Sequence, residues 1–305
     1  MRKVAPKKTT SMTAAALVRS ALRKYEKADL VFAHGTTDPV AEIAFILCET
    51  LGVHPAEFDR IAKRAVPAGA KERFDELISQ RIATRKPAAY LVNKMYMLGQ
   101  PFYVDERTIV PRSFIGELLD AHFSDDDVAG ASLIEDSSSV QHVLDLCTGS
   151  GCLAILAAQR FPNAQVDAVD ISDGALAVAA RNVAEYGFQQ RVALHRGDLF
   201  GAIGDRRYDV IITNPPYVDA DGMADLPREC RHEPELAFDG GGDGLDLVRR
   251  ILDEAKRHLT PQGGLLCEIG RGREVLEDAY PHLPLLWLDT EDSEGEVFWI
   301  TAEAL

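Results

Sequence analysis

The sequence is poor in cysteine and has no long apolar run. Its five cysteines are odd in number and lack the paired spacing of zinc ligands, which argues against a disulfide framework and a metal site. No apolar stretch reaches the roughly 18 residues that a membrane-spanning helix requires. The basic start of the chain precedes an apolar run too short for a secretory signal. We therefore expect a cytoplasmic protein with reduced thiols, no metal and no membrane segment.

Positive charge is also scarce over most of the chain. Lys and Arg total 33 against 48 Asp and Glu, a net charge of −15. The deficit is uneven, because residues 1–112 carry a net +7 and residues 113–305 a net −22. A region this acidic repels phosphate backbones and attracts basic proteins at long range. A simpler alternative, in which the surplus only keeps the protein in solution, accounts for the charge equally well.

A candidate site for chemistry lies where the apolar run Tyr208–Thr213 ends in Asn214-Pro215-Pro216-Tyr217. A planar amide or amine nitrogen is a poor nucleophile, so its N–H groups must be held and its lone pair aimed at an electrophile. The Asn214 oxygen and the Pro215 carbonyl can accept those N–H groups, because consecutive prolines stiffen the turn and lack donors. Tyr217 adds an aromatic wall. An ordinary Asn-Pro turn after a strand is the alternative.

A second motif is a glycine-bearing loop between a predicted strand and a predicted helix. The strand Val143–Leu146 runs into Cys147-Thr148-Gly149-Ser150-Gly151, and a helical apolar pattern follows. Gly149 and Gly151 let the backbone approach a ligand without interference from a Cβ atom. Asp170 ends the next predicted strand, where its carboxylate can accept from ribose hydroxyls. The pattern indicates a nucleotide-type site at the carboxyl edge of a doubly wound sheet.

The glycine pattern alone leaves two cofactors open. It also satisfies the loose signature of nicotinamide enzymes, so a dehydrogenase is a competing hypothesis. Three features favour S-adenosylmethionine. They are the Asn-Pro-Pro-Tyr turn, an acidic residue after the third predicted strand (Asp198, followed by Leu199), and a final pair of predicted strands at residues 284–289 and 295–300. Asp198 would accept from the adenine amino group, with Leu199 against the ring.

Together these motifs resemble the protein glutamine-N5 methyltransferases, which modify glutamine amides in proteins and use S-adenosyl-L-methionine. The likeness covers nearly the whole chain and implies an α/β fold with a seven-stranded, Rossmann-like class I methyltransferase sheet. It also implies two sets of site residues. The cofactor-binding set is Asp145, Cys147, Thr148, Gly149, Ser150, Gly151, Asp170, Ile171, Asp198, Leu199 and Asn214. The catalytic set is Asn214, Pro215, Pro216 and Tyr217.

Two further segments narrow the resemblance. Phe102–Ser113 and Arg231–Ala237 are similar to the branch of the family that modifies ribosomal protein L-three. The implied partner is that protein, free or in an assembly intermediate, and the alternative is a peptide release factor. The sequence departs from the pattern at Leu199, where some relatives have an aromatic residue, and at Phe114, where the pattern has proline. We expect Phe114 to alter only a local turn.

A nucleic-acid adenine methyltransferase remains a further alternative, because such enzymes also place an Asn- or Asp-Pro-Pro-Tyr turn on an exocyclic amino group. They need a basic groove and a base-recognition insertion, and neither is visible in this sequence. We therefore expect no direct nucleic-acid substrate. The Gly-rich segment 239–244 lacks the Lys-Ser/Thr ending of a phosphate loop, so it is predicted to be a substrate-side loop. His232-Glu233 is predicted to be a loop contact.

Apolar periodicity divides the chain into regions of different character. We predict a flexible basic arm at residues 1–10, a helical substrate-binding domain at 11–88, a β-hairpin linker at 89–112 and an S-adenosylmethionine-dependent methyltransferase domain at 113–305. The hairpin is predicted because Gly99-Gln100-Pro101 separates two aromatic-rich runs. After it, strand and helix patterns alternate, as a parallel sheet with crossover helices requires. The polar stretch at Ser124–Asp127 is predicted to be a surface loop.

Overall fold

The computed structural model describes residues 12–123, 133, 134 and 136–305. The arm predicted for residues 1–10 and the loop predicted at Ser124–Asp127 lie outside the described residues. The chain forms two compact units, Met1–Asn93 and Lys94–Leu305. No helix within the described ranges is both long and apolar enough to cross a bilayer.

The first unit is helical. Its helices are α1 (Ala14–Tyr25), α2 (Pro39–Leu51), α3 (Phe58–Ile61), α4 (Ala68–Thr84) and α5 (Ala88–Val92). The Asp38 side chain accepts from the first backbone N–H groups of α2, and Gly52 ends that helix in the left-handed conformation. Apolar side chains from α1, α2 and α4 form the core of this unit, including Leu17, Ile43, Ile46, Leu47, Phe74 and Ile78.

The second unit begins with a short antiparallel hairpin of β1 (Met95–Met97) and β2 (Gln100–Phe102). This differs from the hairpin predicted over residues 89–112. Residues 89–92 belong instead to α5, which follows Pro87 and ends at Asn93 in the left-handed conformation that asparagine tolerates. The β-propensity of the aromatic residues near Tyr90 is overridden there. Residues 103–112 continue without a strand partner.

A seven-stranded sheet forms the centre of the second unit, as the resemblance predicts. Its strands are β3 (His142–Leu146), β4 (Gln165–Asp170), β5 (Val192–Arg196), β6 (Tyr208–Thr213), β7 (Leu259–Glu268), β8 (Leu286–Leu288) and β9 (Val297–Thr301). Their spatial order is β5-β4-β3-β6-β7-β9-β8. The first five in this order pair in parallel, and β9 pairs antiparallel with both β7 and β8. The final strand pair that the sequence predicts is thus confirmed.

The helix α6 (Ile115–His122) precedes the first strand of this sheet, and further helices connect its strands. They are α7 (Cys152–Arg160), α8 (Asp173–Glu185), α9 (Ala220–Ala224), α10 (Asp246–His258) and α11 (Arg273–Ala279). The apolar face of α10, with Val248 and Ile251, packs with Leu144, Ile211 and Leu265 of the sheet in one core. The strand order reverses between β3 and β6. In open α/β sheets such a reversal opens a crevice at the carboxyl ends of the strands, where ligands bind.

Candidate active site

A cavity of about 410 Å³ lies at the carboxyl ends of the parallel strands. Its wall comes from the loops that follow β3, β4, β5 and β6, from residues 107–109 and 234–241, and from the start of α10. This volume falls in the usual range for small-molecule sites. The position and size of the cavity make it the candidate active site.

The loop after β3 is held by its own polar groups. Thr148 Oγ1 donates to Asp145 Oδ2 at 2.6 Å, and the Thr148 backbone N–H donates to the Val169 carbonyl at 3.0 Å. Cys147 and Gly149 have positive φ angles of 59° and 55°. For a cysteine this left-handed conformation is uncommon, and such backbone strain is concentrated at functional sites. The loop therefore turns its backbone, through Cys147 and Gly149, toward the cavity.

Asp170 ends β4 and lines the cavity. One carboxylate oxygen accepts from the Gly149 N–H at 2.8 Å and the other accepts from the Ser172 N–H at 2.9 Å. Burial raises the pKa of Asp170, while these two donors oppose the rise by stabilising the ionised form. A carboxylate has about four acceptor positions, so Asp170 can accept further hydrogen bonds from a ligand.

Asp198 and Leu199 line the cavity from the loop after β5. The Arg250 Nη2 atom on α10 donates to Asp198 Oδ2 at 2.8 Å, and Leu199 is buried with a φ of 47°. Arg250 was not predicted as a site residue, because the sequence does not show which loop the side chain of a helical arginine contacts. The ion pair restricts the orientation of the Asp198 carboxylate at this wall.

Asn214 follows β6 directly, and its carboxamide has a defined orientation. The Asn214 Nδ2 atom donates to the Arg112 carbonyl at 3.1 Å, across 102 residues of sequence. Within the described part of the chain, the Asn214 Oδ1 atom accepts no hydrogen bond. Asn214 also lines the cavity. Because Nδ2 is used by the protein, Oδ1 is the atom of this side chain that a ligand can reach as an acceptor.

The other residues of the tetrapeptide are placed differently. Pro216 lines the cavity, whereas Pro215 and Tyr217 are not among its lining residues. The Tyr217 hydroxyl donates to Glu268 Oε1 at 3.3 Å. The Tyr217 ring lies so close to Gly270 that a Cβ atom there would come within 2.6 Å of it. The roles predicted for Pro215 and Tyr217 stay predictions.

The predicted cofactor residues divide into two groups. Those lining the cavity are Cys147, Gly149, Asp170, Ile171, Asp198, Leu199 and Asn214. Those outside the lining are Asp145, Thr148, Ser150 and Gly151. Asp145 is fully buried, burial raises its pKa to about 7, and its Oδ1 atom has no hydrogen-bond partner. The second group shapes the loop, and the Asp145 Oδ1 atom remains a buried acceptor to which no group donates.

Two loops that the sequence singled out also meet at this cavity. Arg107, Thr108 and Ile109 line it from one loop, and Pro234, Leu236 and Ala237 line it from the other. Glu233, which is buried, joins the loops: it accepts from the Val110 N–H at 2.8 Å and pairs with Arg112 at 2.9 Å. The loop contact predicted for Glu233 is therefore present.

The comparisons with known proteins agree with this architecture. The family model of the PrmC N-terminal domain matches residues 27–92, and that of the methyltransferase small domain matches residues 121–226. A ribosomal protein uL3 (L-three) glutamine methyltransferase from Bradyrhizobium diazoefficiens is 68% identical over 288 residues, covering 94% of this chain and 90% of that protein.

Relatives of the same name from other organisms match at lower identity. The protein from Burkholderia pseudomallei is 46% identical, covering 95% of this chain and 94% of its own length. The protein from Bordetella pertussis is also 46% identical, with 95% of each chain covered. The resemblance stated from the motifs is confirmed, and the chain belongs to the family of the ribosomal protein uL3 glutamine methyltransferases.

Proposed function

We propose that this protein transfers a methyl group from S-adenosyl-L-methionine to the side-chain amide nitrogen of a glutamine in ribosomal protein uL3. The observation that carries the proposal is the orientation of Asn214. Its Nδ2 atom is bound to the Arg112 carbonyl, which leaves Oδ1 at the cavity as an acceptor for an amide N–H. The names of relatives at up to 68% identity support the choice of substrate.

The residues of the cavity fit the proposed cofactor. Asp170 and Asp198 offer acceptors for ribose hydroxyls and for an adenine amino group. Ile171, half exposed, and Leu199 offer apolar surface for the adenine ring. Gly149 and Gly151 have positive φ angles, and Gly149 brings its backbone to the cavity wall. S-adenosylmethionine supplies an electrophilic methyl group on a sulfonium.

The residues of the tetrapeptide would orient the target nitrogen. Asn214 Oδ1 and the Pro215 carbonyl accept its two N–H groups, so the lone pair of the nitrogen points along the line of methyl transfer. This is catalysis by orientation and by electrostatic stabilisation, without a strong base. The same two oxygens, with the face of Tyr217, stabilise the positive charge that develops on nitrogen. The N–CH₃ bond would form as the S–CH₃ bond of the cofactor breaks, which leaves S-adenosylhomocysteine, and the nitrogen would then release its proton to water.

The substrate is free uL3, or an early assembly particle that contains it, in the cytoplasm. An amide that is held from two sides must enter the cavity on an accessible loop, and such loops close off as the ribosome assembles. The net charge of −22 over residues 113–305 favours a basic protein over a nucleic acid as the substrate. The helical domain predicted at residues 11–88 would bind the protein substrate.

Incubation with labelled S-adenosylmethionine tests this function. Free uL3, finished ribosomes, a peptide release factor, DNA and RNA are supplied separately, and the labelled residue is located by mass spectrometry. We expect label on one glutamine of free uL3 and none on the finished ribosome. Label on the release factor alone would refute the choice of substrate and leave the chemistry intact. Label on DNA or RNA would overturn both.

A further inference from the structure

A buried carboxylate lies beside the proposed catalytic turn. Glu268 is the last residue of β7, and β7 pairs in parallel with β6 up to the register Thr213 opposite Cys267. Asn214 follows Thr213, and Glu268 follows Cys267. Glu268 is 1% exposed. The sheet therefore brings an acidic side chain that is sealed from solvent next to the start of the Asn-Pro-Pro-Tyr turn.

Three donors converge on this carboxylate. Glu268 Oε2 accepts from Ser113 Oγ at 2.7 Å and from the Phe114 backbone N–H at 3.0 Å. Glu268 Oε1 accepts from the Tyr217 hydroxyl at 3.3 Å. The two oxygens thus contact two separate segments, the chain just before α6 and the last residue of the catalytic turn.

Both segments govern the orientation of Asn214. The residue before Ser113 is Arg112, whose carbonyl accepts from Asn214 Nδ2. Tyr217 ends the turn that Asn214 begins, with two prolines between them. Proline fixes its own φ angle, so a displacement at Tyr217 is transmitted along the turn with little slack. Glu268 therefore holds both the carbonyl that orients the Asn214 carboxamide and the far end of the turn.

Phe114 contributes to this arrangement through its backbone. A proline at this position would have no N–H to donate. The Phe114 N–H is one of the donors to Glu268 Oε2, so this residue has a contact beyond the local turn expected from the sequence. In this chain the carboxylate has three donors where a proline would leave it two.

The charges around Glu268 set its titration. Among the described residues, no Lys, Arg or His forms an ion pair with it, and burial raises its pKa to about 7, with the nearby Glu296 adding to the rise. The other titratable groups beside it are Tyr217 and Cys267, and burial raises the pKa of each above its usual value. The positive charge of Arg112 opposes the rise in the pKa of Tyr217.

We propose that Glu268 is a positioning residue for methyl transfer, and that its ionised form holds Asn214 in the orientation that binds the target amide. The proposal rests on the proposed function. An ionised carboxylate accepts from all three donors, whereas a protonated one carries an O–H of its own, so at least one of the three hydrogen bonds is lost or reverses its direction. The turnover rate should therefore fall as the pH drops through the range in which Glu268 takes up a proton.

The variant Glu268→Gln tests this role, because its amide has nearly the same shape and cannot ionise. We expect kcat with uL3 to fall about 10- to 100-fold, the scale of a misplaced reacting group. We expect the KM for uL3 and the affinity for S-adenosylmethionine to stay within about twofold, since the residue lies outside the cavity lining. The acid limb of the kcat profile near pH 7 should disappear.

Two variants that leave Glu268 in place shift the same limb in opposite directions. Glu296→Gln removes a neighbouring negative charge, so the pKa of Glu268 and the limb should move to lower pH. Ser113→Ala removes a donor to the ionised form, so both should move to higher pH. Asp145 has a similar pKa but lies within β3, and neither variant touches it. If Glu268→Gln does not fold, the pH profiles of these two variants still test the positioning role of Glu268.

The outcomes separate this proposal from the proposed function. If the wild-type protein labels uL3 but the acid limb stays at the same pH in both neighbouring variants, Glu268 has no positioning role and the proposed function stands. A kcat for folded Glu268→Gln within twofold of wild type would overturn the proposal in the same way. If the wild-type protein labels no uL3 at any pH, the proposed function has failed, and the positioning role falls with it.

Discussion

The two ends of the cavity are built in different ways. At the proposed nucleoside end, formed by Gly149, Asp170, Ile171, Asp198 and Leu199, Asp198 pairs with the Arg250 side chain, but the donors to Asp170 are backbone N–H groups. These donors, on Gly149 and Ser172, lie 21 and 2 residues away along the chain. At the proposed acceptor end, Asn214 lines the cavity, and Arg112, Tyr217 and Glu268 lie outside the lining and make hydrogen bonds that each involve a side chain.

The distances along the chain sharpen this contrast. Asn214 reaches the Arg112 carbonyl across 102 residues, and Glu268 reaches Ser113 across 155. Backbone donors on a short loop are positioned by the local fold and change little when a distant side chain is altered. Side chains that depend on one another are easily displaced together. We therefore expect substitutions at the nucleoside end to change affinity and those at the acceptor end to change rate.

The largest effect should come from substituting Asn214, the central residue of the acceptor end. Asn214→Ala removes the only side-chain oxygen that we place on the target amide. Methyl transfer to uL3 should fall about 10²- to 10³-fold, the scale of losing one oriented catalytic hydrogen-bonding group. Single-turnover labelling measures the rate, and a calorimetric titration should show the affinity for S-adenosylmethionine nearly unchanged.

Asn163→Ala is the matched control for this substitution. Asn163 lies in the exposed connection between α7 and β4 and donates to the Ser138 carbonyl, away from the cavity lining. The control should retain wild-type turnover. A loss of only two- or threefold in Asn214→Ala would show that the amide is not held by this residue.

A smaller effect is expected when the nucleoside end is broken. Asp170→Ala removes the acceptor for ribose hydroxyls and also frees the N–H groups of Gly149 and Ser172. The affinity for S-adenosylmethionine should weaken by about 1.5–3 kcal/mol, or roughly 10- to 150-fold. At saturating cofactor, the rate should be affected far less than in Asn214→Ala.

Asp173→Ala controls for the loss of one negative charge nearby. Asp173 begins α8, its side chain is 73% exposed and pairs with Arg196, and it does not line the cavity. Its removal should leave the titration curve as in wild type. Equal affinities in Asp170→Ala and wild type would place the cofactor elsewhere.

The smallest effect concerns approach to the cavity. If the net charge of −22 over residues 113–305 draws in uL3, the association rate should fall about tenfold as salt rises to where the Debye length is well below 10 Å. Affinity for S-adenosylmethionine, measured in the same buffers, should change much less. Stopped-flow mixing gives the rates, and a neutral glutamine peptide serves as the control substrate. If the association rate of uL3 does not depend on salt, the negative charge serves only to keep the protein in solution.

The backbone at the proposed nucleoside end was largely predictable. Gly149 and Asp170 lie in contiguous motifs, where the succession of strand, glycine turn and helix determines the local backbone. The left-handed conformations of Cys147 and Leu199 were not predictable, since neither residue favours them and the surrounding fold imposes them. The hairpin boundary was placed too early for a related reason, because the chain forms a short helix between Pro87 and the left-handed Asn93 in spite of the strand propensity of Tyr90.

The alternation of strands and helices, the two motifs that end β3 and β6, and the family follow from the amino-acid sequence. Each of these depends on residues that are neighbours along the chain, so the pattern and the structure coincide. The folded chain was needed to show that Glu268 lies beside Asn214, that Glu233 joins the loops at Val110 and Arg112, and that Arg250 pairs with Asp198. These contacts arise from strand order and helix packing. The sequence around a charged residue at the end of a strand or on a helix does not indicate which distant residue its side chain contacts in the fold.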